Sequence, residues 1–318
     1  MSGLLLQKTT LVAVRDETSR VRSFTFRHAK NAELPPFTAG AHVGVETPGG
    51  QLRYYSLCSD PHDRTIQRIG VLREDAGSGG SRSMHAALAV GDTLYVTRPR
   101  NYFPIVHRRG PLLLLAAGIG VTPILAMLYE LERSRVPYAL HYCARNRADA
   151  AFADEIEGAA VHGSVHFHFD NGNPADGLPL DAFLAERGGF EALYACGPKG
   201  FLDAIVAAAG RWPEGTVHFE RFSALPRELV GAGEPFEMVL QSSGQVITVA
   251  EGQTALSALR DAGHAIRAQC EAGICGTCRV KVVDGTIVHK DAILSARERA
   301  DTMMVCVSRA AGRITVAL

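Results

Sequence analysis

The sequence predicts a multidomain chain: an antiparallel β-barrel, then an α/β domain on a parallel sheet, then a small α+β domain carrying a cysteine-rich loop. Three observations predict it. Short β-rich runs broken by turn signals fill the first hundred residues, as in barrels. From Gly110 the rhythm changes to strand, helix, strand, the mark of a parallel sheet with crossover helices. Near the C-terminus Cys270, Cys275 and Cys278 stand in C-x4-C-x2-C spacing, and Cys306 follows after 27 further residues.

In the first segment, strands are read at 10–13, 21–27, 42–47, 53–57, 66–73 and 93–97, with one helix near 82–89. Pro35-Pro36, Pro48-Gly49-Gly50 and Gly91-Asp92 break them. In the second, strands at 112–116, 138–143, 165–169 and 192–196 alternate with helices, the first of them at 123–134. A Pro- and Gly-bearing linker precedes strands at 236–240 and 245–250 and a helix near 254–262. The expected boundaries are 1–105, 106–224, the linker 225–235, and 236–318.

At 318 residues and 47% hydrophobic, the chain can bury a large core. Lys+Arg and Asp+Glu balance at 33 each, so no basic field exists to hold nucleic acid or an anionic membrane. The longest apolar run, 111–118, falls short of the ~20 residues a membrane span needs. The first ten residues offer only Leu4-Leu-Leu6, without the basic segment and long apolar core of an export signal. Seven cysteines, four of them in one spacing pattern, fit a reducing compartment, so a cytoplasmic protein is expected.

The cysteine spacing is that of a plant-type [2Fe–2S] cluster, in which a glycine-bearing loop lets thiolates converge on two irons. Gly273 and Gly276 stand where such a wrap needs them. Two other readings are open: a structural zinc, which more often uses two separated C-x2-C pairs, and a thiol redox pair, which needs no third or fourth cysteine.

Leu113-Leu-Leu-Ala-Ala-Gly118-Ile-Gly120-Val-Thr122-Pro123 is an apolar strand running into a Gly-rich turn that opens a helix. Such a turn lets a pyrophosphate approach backbone N–H groups at the positive end of a helix dipole, though a plain strand-to-helix turn looks the same. Cys196-Gly197-Pro198 ends another strand of the same sheet, so both loops lie on the carboxyl edge where such sheets bind ligands. Asp170 ends a third strand, placed to accept from a ribose hydroxyl or, more plainly, to start a turn. NADH is favoured, with Arg145 and Arg147 keeping NADPH open.

If a pyridine nucleotide and such a cluster are both present, a hydride carrying two electrons must reach a centre that accepts one, so the first domain is expected to hold a flavin between them. In the barrel, Arg53-Tyr54-Tyr55-Ser56-Leu57 offers a guanidinium, aromatic rings and a hydroxyl at a strand end. Gly77-Ser-Gly79-Gly80-Ser81-Arg82-Ser83-Met84-His85 is a Gly-rich turn suited to a phosphate, or else a flexible loop with a serine cap.

With these segments in view, the chain resembles class IA oxygenase reductases of the phthalate dioxygenase reductase and vanillate demethylase reductase type. Ala39-Gly40-Ala41-His42-Val43, Pro99-Arg-Asn101 with Phe103-Pro104, His141-Tyr-Cys-Ala-Arg145 and His168-Phe-Asp170 carry the likeness beside the motifs above. The resemblance implies an FMN barrel, an NAD domain and a β-grasp plant-type ferredoxin in that order. It further implies hydride transfer from NADH to FMN, then single electrons through the cluster to a separate terminal oxygenase with Rieske and mononuclear iron centres. The oxygenase would act on an aromatic acid or aryl ether, and the reductase would be a monomer. A cytochrome P450 or a separate ferredoxin is the alternative acceptor, and a non-enzymatic carrier the alternative role.

By the same resemblance, Arg53, Tyr54, Tyr55, Ser56, Gly70, Val71, Leu72, Thr122 and Phe222 would hold the flavin, with Gly79, Gly80, Ser81, Arg82 and Ser83 at its phosphate. Gly118, Gly120, Arg145, Asp170, Cys196, Gly197 and Pro198 would shape the nucleotide site, and Ser56, Thr122, Cys196 and Glu220 would stand at the reacting atoms. Cys270, Cys275, Cys278 and Cys306 would ligate the cluster. Ser78 departs from relatives, which carry arginine there, and leaves phosphate neutralisation to Arg53 or Arg82.

Overall fold

In the computed structural model the described residues are 6–77, 79–107, 109–213, 215–222, 231–268, 271, 273, 276–291, 293–294 and 296–318. They divide into two compact units, Met1–Glu220 and Arg221–Leu318.

The first unit begins with β1 (Gln7–Asp16), β2 (Val21–His28), β3 (Ala41–Glu46), β4 (Leu52–Ser56), β5 (Gln67–Leu72), β6 (Thr93–Val96) and the short β7 (Arg100–Asn101). They pair antiparallel in the order β4-β3-β6-β1-β2-β5, with β7 on β3. A bridge from Leu57 to Ile69 brings the two edges together and closes the sheet as a barrel. Phe24, Phe26, Val43, Val45, Ile69 and Val96 fill its interior. Helix α1 (Gly80–Ala87) adds Met84 to that core. Its N-cap is Gly79 at φ 96°, with no side-chain cap, so the serine cap considered above is not used.

The same unit continues as β8 (Leu112–Ala117), α2 (Val121–Ser134), β9 (Tyr138–Ala144), α3 (Ala153–Ala159), β10 (Ser164–Phe169), α4 (Leu180–Leu184), β11 (Ala192–Cys196), α5 (Lys199–Ala208) and β12 (Val217–Glu220). The five strands are parallel in the order β10-β9-β8-β11-β12. β8 and β11 are buried at every position, which is why both read as unbroken apolar runs. The strand order reverses between them, and at such a switch point open sheets bind ligands beyond the carboxyl ends of the strands. Helix α2 begins two residues before Pro123, because the first helical turn has no partner for the N–H that proline lacks.

The second unit holds β13 (Phe236–Leu240), β14 (Val246–Val249), α6 (Ala255–Asp261), β15 (Arg279–Val288), α7 (Ala296–Arg299), β16 (Thr302–Met304) and β17 (Arg309–Val316). Its sheet runs β14-β13-β17-β15-β16, with only the central β13–β17 pair parallel. Leu256 and Leu259 of helix α6 share one buried apolar cluster with Met238 and Ile314. The Arg309 guanidinium, 5.1 Å from the Phe236 ring centre, donates to the carbonyls of Gly231, Glu234, Ala250 and Gln253. Residues 231–234, read from sequence as linker, are thus tied to this unit, while 225–230 lie outside the described residues. Among the described residues no helix is long and apolar enough to cross a membrane.

Candidate functional site

On the barrel side the site is built on β4. Register pairs Ser56 with His42 and Tyr54 with Gly44. A Cβ at Gly44 would lie 3.0 Å from the Tyr54 ring, so glycine there makes room for it. The neighbouring Tyr55 phenol is pushed up to about 12 by burial and stays neutral. Beside them the Arg53 stem runs against the head of α1, where a Cβ on Gly80 would meet its Cγ at 3.0 Å. A glycine-capped helix N-terminus with Arg53 and Arg82 near it is a donor set that fits a phosphate. Ser81 accepts from the Glu74 N–H at 3.0 Å, and Ser83 donates to the Gly80 carbonyl at 2.8 Å, so both hydroxyls hold the shape of this turn. Ser78 lies outside the described residues.

On the nucleotide side, Gly118–Gly120 forms a tight 3-10 turn, with Gly118 at φ 51°. Buried Thr122 donates to the Ile119 carbonyl at 3.0 Å. A Cβ at Gly120 would sit 2.2 Å from the Cys196 carbonyl oxygen, and one at Gly197 would be 2.9 Å from the Ala117 Cβ. The two loops therefore touch backbone to backbone, and the absent side chains define the crevice floor. Exposed Arg145 ends β9. Asp170 ends β10 and accepts from the Gly172 N–H at 2.8 Å, which accounts for its turn role. Arg147 is engaged by Asp154 and Glu157.

The two sides meet. A Cβ at Gly70 would lie 2.7 Å from the Thr122 methyl, so β5, with Val71 and Leu72 beyond, carries the nucleotide turn directly on its backbone. Ser56 donates to Glu220 at 3.2 Å, and Glu220 stands in register with Cys196 across the β11–β12 pair. Burial raises the Cys196 thiol well above its ordinary range, with the neighbouring Glu220 carboxyl adding to it, so it is neutral. Desolvation pushes Glu220 up to about 8 against the opposing Ser56 hydrogen bond. Glu220 as a residue is only half-buried, but crowding around the carboxyl itself sets the cost of its charge. Ser56, Gly70, Gly120, Thr122, Cys196 and Glu220 thus converge, whereas Arg145 and Asp170 stand at the ends of neighbouring strands.

Because the folded carboxyl is raised above its ordinary 4.5, the folded protein holds the extra proton between about 4.5 and about 8, and stability falls as pH rises through that window. Glu220→Gln is expected to remove this declining limb in thermal unfolding followed against pH. Parallel pH slopes for the variant and the parent would contradict the assignment.

In the second unit, Cys278 directly precedes β15 and Cys306 follows β16 by two residues. The strands pair Arg279 with Met304, and the Val305 N–H donates to the Cys278 carbonyl at 3.3 Å. Two cysteines far apart in sequence are therefore side by side and both buried. Gly273, at φ 74°, packs so closely that a Cβ would meet Val307 at 2.7 Å and the Asp291 Cα at 3.2 Å. Fully buried Asp291 accepts from Ser308 at 3.2 Å and from the Leu294 N–H at 3.0 Å, a support behind the loop that no motif announces. Two buried cysteines brought near each other by strand pairing, beside a glycine-dependent loop, fit an iron–sulfur cluster. Cys270 and Cys275 lie outside the described residues, and Phe222, half-buried, belongs to this unit.

Residues 238–311 match the 2Fe-2S iron-sulfur cluster binding domain family. A tert-butanol monooxygenase / tert-amyl alcohol desaturase reductase subunit from Aquincola tertiaricarbonis is 39% identical over 93% of this chain and 91% of its own length. A vanillate O-demethylase oxidoreductase from a Pseudomonas species is 40% identical over 94% of this chain and 95% of its own. The solved structure of phthalate dioxygenase reductase, described as modular for electron transfer from pyridine nucleotides to [2Fe-2S], superposes with TM-score 0.72 at 32% identity, covering 99% of this chain and 98% of that one. The chain belongs to the phthalate dioxygenase reductase and vanillate O-demethylase oxidoreductase family, the NADH-dependent flavin and [2Fe–2S] reductases of oxygenase systems.

Proposed function

We propose that this chain takes a hydride from NADH at the crevice between β8 and β11, onto FMN held by the barrel, and delivers single electrons through its [2Fe–2S] cluster to a separate terminal oxygenase. The observation that carries the reading is the meeting of Ser56, Gly70, Thr122, Cys196 and Glu220, which joins a flavin-shaped edge of the barrel to a nucleotide-shaped edge of the parallel sheet. Bound FMN supplies the step from two-electron to one-electron chemistry.

The chain's own part is positioning. Arg53, Arg82 and the N–H groups of Gly79, Gly80 and Ser81 would hold the phosphate, with Ser83 shaping that turn, while Tyr54, Tyr55, Ser56, Gly70, Val71 and Leu72 would hold the ring. Thr122 and Cys196 limit the approach of the nicotinamide and exclude water, and neutral Glu220 holds a proton at hydrogen-bond distance from Ser56. Gly118, Gly120, Gly197 and Pro198 admit the pyrophosphate, with Arg145 and Asp170 at the adenosine end. NADH is preferred because Arg147 is occupied by two carboxylates and so offers little to a 2′-phosphate. Cys270, Cys275, Cys278 and Cys306 ligate the cluster. The oxygenase carries a Rieske centre and mononuclear iron, and its substrate, an aromatic acid or aryl ether, never touches this monomeric, cytoplasmic chain. The functional parts are 1–105, 106–224 and 236–318.

Anaerobic titration of the purified protein with NADH tests the reading, with the flavin released from a parallel sample and identified. The expected result is FMN in the extract and bleaching of flavin and iron–sulfur absorbance, with uptake of about three electrons per chain. A colourless, zinc-loaded protein would sink the proposal, and iron–sulfur colour without flavin would reduce it to an electron carrier.

A further inference from the structure

Outside the residues assigned so far, the barrel and the parallel-sheet part of the first unit are joined by a half-buried charge cluster. Arg68 lies on β5, two residues before Gly70. Its guanidinium is bidentate on Glu155 of α3, with Nη1 at 2.9 Å from Oε2 and Nη2 bonded to Oε1, and Nη2 also donates to the Cys58 carbonyl at 2.9 Å. The Tyr129 hydroxyl, from α2, donates to the same Glu155 carboxylate. Arg68 also stands 5.2 Å from the ring centre of Phe152, the buried N-cap of α3, held at φ 61°. The Phe152 ring in turn packs where a Gly70 Cβ would be, 3.2 Å away, alongside the Thr122 methyl.

Thr122 and Tyr129 are seven residues apart on α2, two helical turns along one face. The helix is therefore tied to the barrel at its head through Thr122 on Gly70 and further along through Tyr129, Glu155 and Arg68, with Glu130 beside Tyr129 also bonded to His62 at 3.1 Å. Next to this cluster the two parts are separated by a cleft of about 690 Å³, walled by Arg15 and Glu17 of the barrel and by Arg147 and Asp154 opposite. Arg68, Phe152 and Glu155 of the cluster line the same cleft.

We propose that Glu155 is a positioning residue for hydride transfer: by gathering Arg68 and Tyr129 it sets the height and rotation of α2, and so where Thr122 and the Gly118–Gly120 turn stand above Gly70. The inference rests on the function proposed above. An ångström of misplacement at a reacting pair can cost as much as ~100-fold in rate, so loosening this bolt acts on the chemical step rather than on capture of the nucleotide.

The test compares the FMN-loaded parent with Glu155→Gln and Tyr129→Phe, by anaerobic stopped-flow reduction with NADH and by deuterium uptake of residues 118–124 in the oxidised protein without NADH. Glu155→Gln is expected to lower the limiting reduction rate roughly tenfold, with half-saturation by NADH within about twofold of the parent and faster exchange in 118–124. Tyr129→Phe should move both readouts the same way by less. Parental rates and exchange in both variants would overturn the proposal, as would a weakened NADH half-saturation with an unchanged limiting rate. Should Glu155→Gln fail to fold, Tyr129→Phe decides by the same criteria. A parent that NADH does not reduce would instead remove the proposed function, and the exchange comparison would still report on α2.

Discussion

Cys306→Ser is expected to abolish electron delivery to any one-electron acceptor while NADH continues to bleach the flavin. Cys306 is buried beside Cys278 at the ends of a paired β15 and β16, where a hydroxyl offers iron a poorer ligand than a thiolate. The nucleotide crevice and the Ser56–Glu220 contact lie in the first unit and are built without it. The two half-reactions should therefore separate cleanly: iron content and iron–sulfur absorbance fall, delivery is lost, and the flavin reduction rate stays within about twofold of the parent. Cys278→Ser should behave alike. Undiminished delivery by either variant would show that electrons leave by another route.

Gly120→Ala should have the second largest effect. The added methyl would meet the Cys196 carbonyl oxygen at 2.2 Å, its carbon at 2.4 Å and the Gly197 nitrogen at 2.6 Å, all main-chain atoms with no rotamer through which to retreat. The β8 and β11 loops must part, at a cost of about 1–3 kcal/mol for overpacking of this kind. Because the same backbone forms the floor of the crevice, the loss should fall on NADH as well, roughly tenfold or more in half-saturation. Gly118→Ala offers a contrast, since its Cβ would meet nothing within 4 Å and only the φ of 51° resists it. Equal NADH affinity in Gly120→Ala and the parent would show that contact between the loops does not shape the nucleotide site.

Legibility in the sequence followed the range of the interactions. The strands Ala192–Cys196 and Phe236–Leu240 match the expected bounds, because a run apolar throughout and a run alternating faces each announce themselves locally. β12 carries little strand signal, being four residues with His218 and Glu220 on a sheet edge, and the two-residue β7 is too short to carry a pattern. β15 shows its strand only in the short alternation of Val280, Lys281 and Val282 after the cysteine motif. In the site, the glycine turns were visible because absent side chains are a local property. The partnership of Arg68 with Glu155 was not, since 87 residues separate them and neither stands in a motif. Asp291, likewise, has its meaning only once Gly273 and Ser308 fold onto it.

The pairing of Arg279 with Met304 also dictates an order of assembly. On the proposed ligation, a nascent chain ending before residue 302 would carry three of the four sulfur ligands, within residues 270–278 of the sequence, and lack the fourth, so it would gather iron only loosely. Cys306 arrives when β16 closes on β15, and a bound cluster would then fasten two distant stretches of the small unit across that seam. Iron chelation should therefore lower the melting temperature of this unit while leaving that of the first unit where it was.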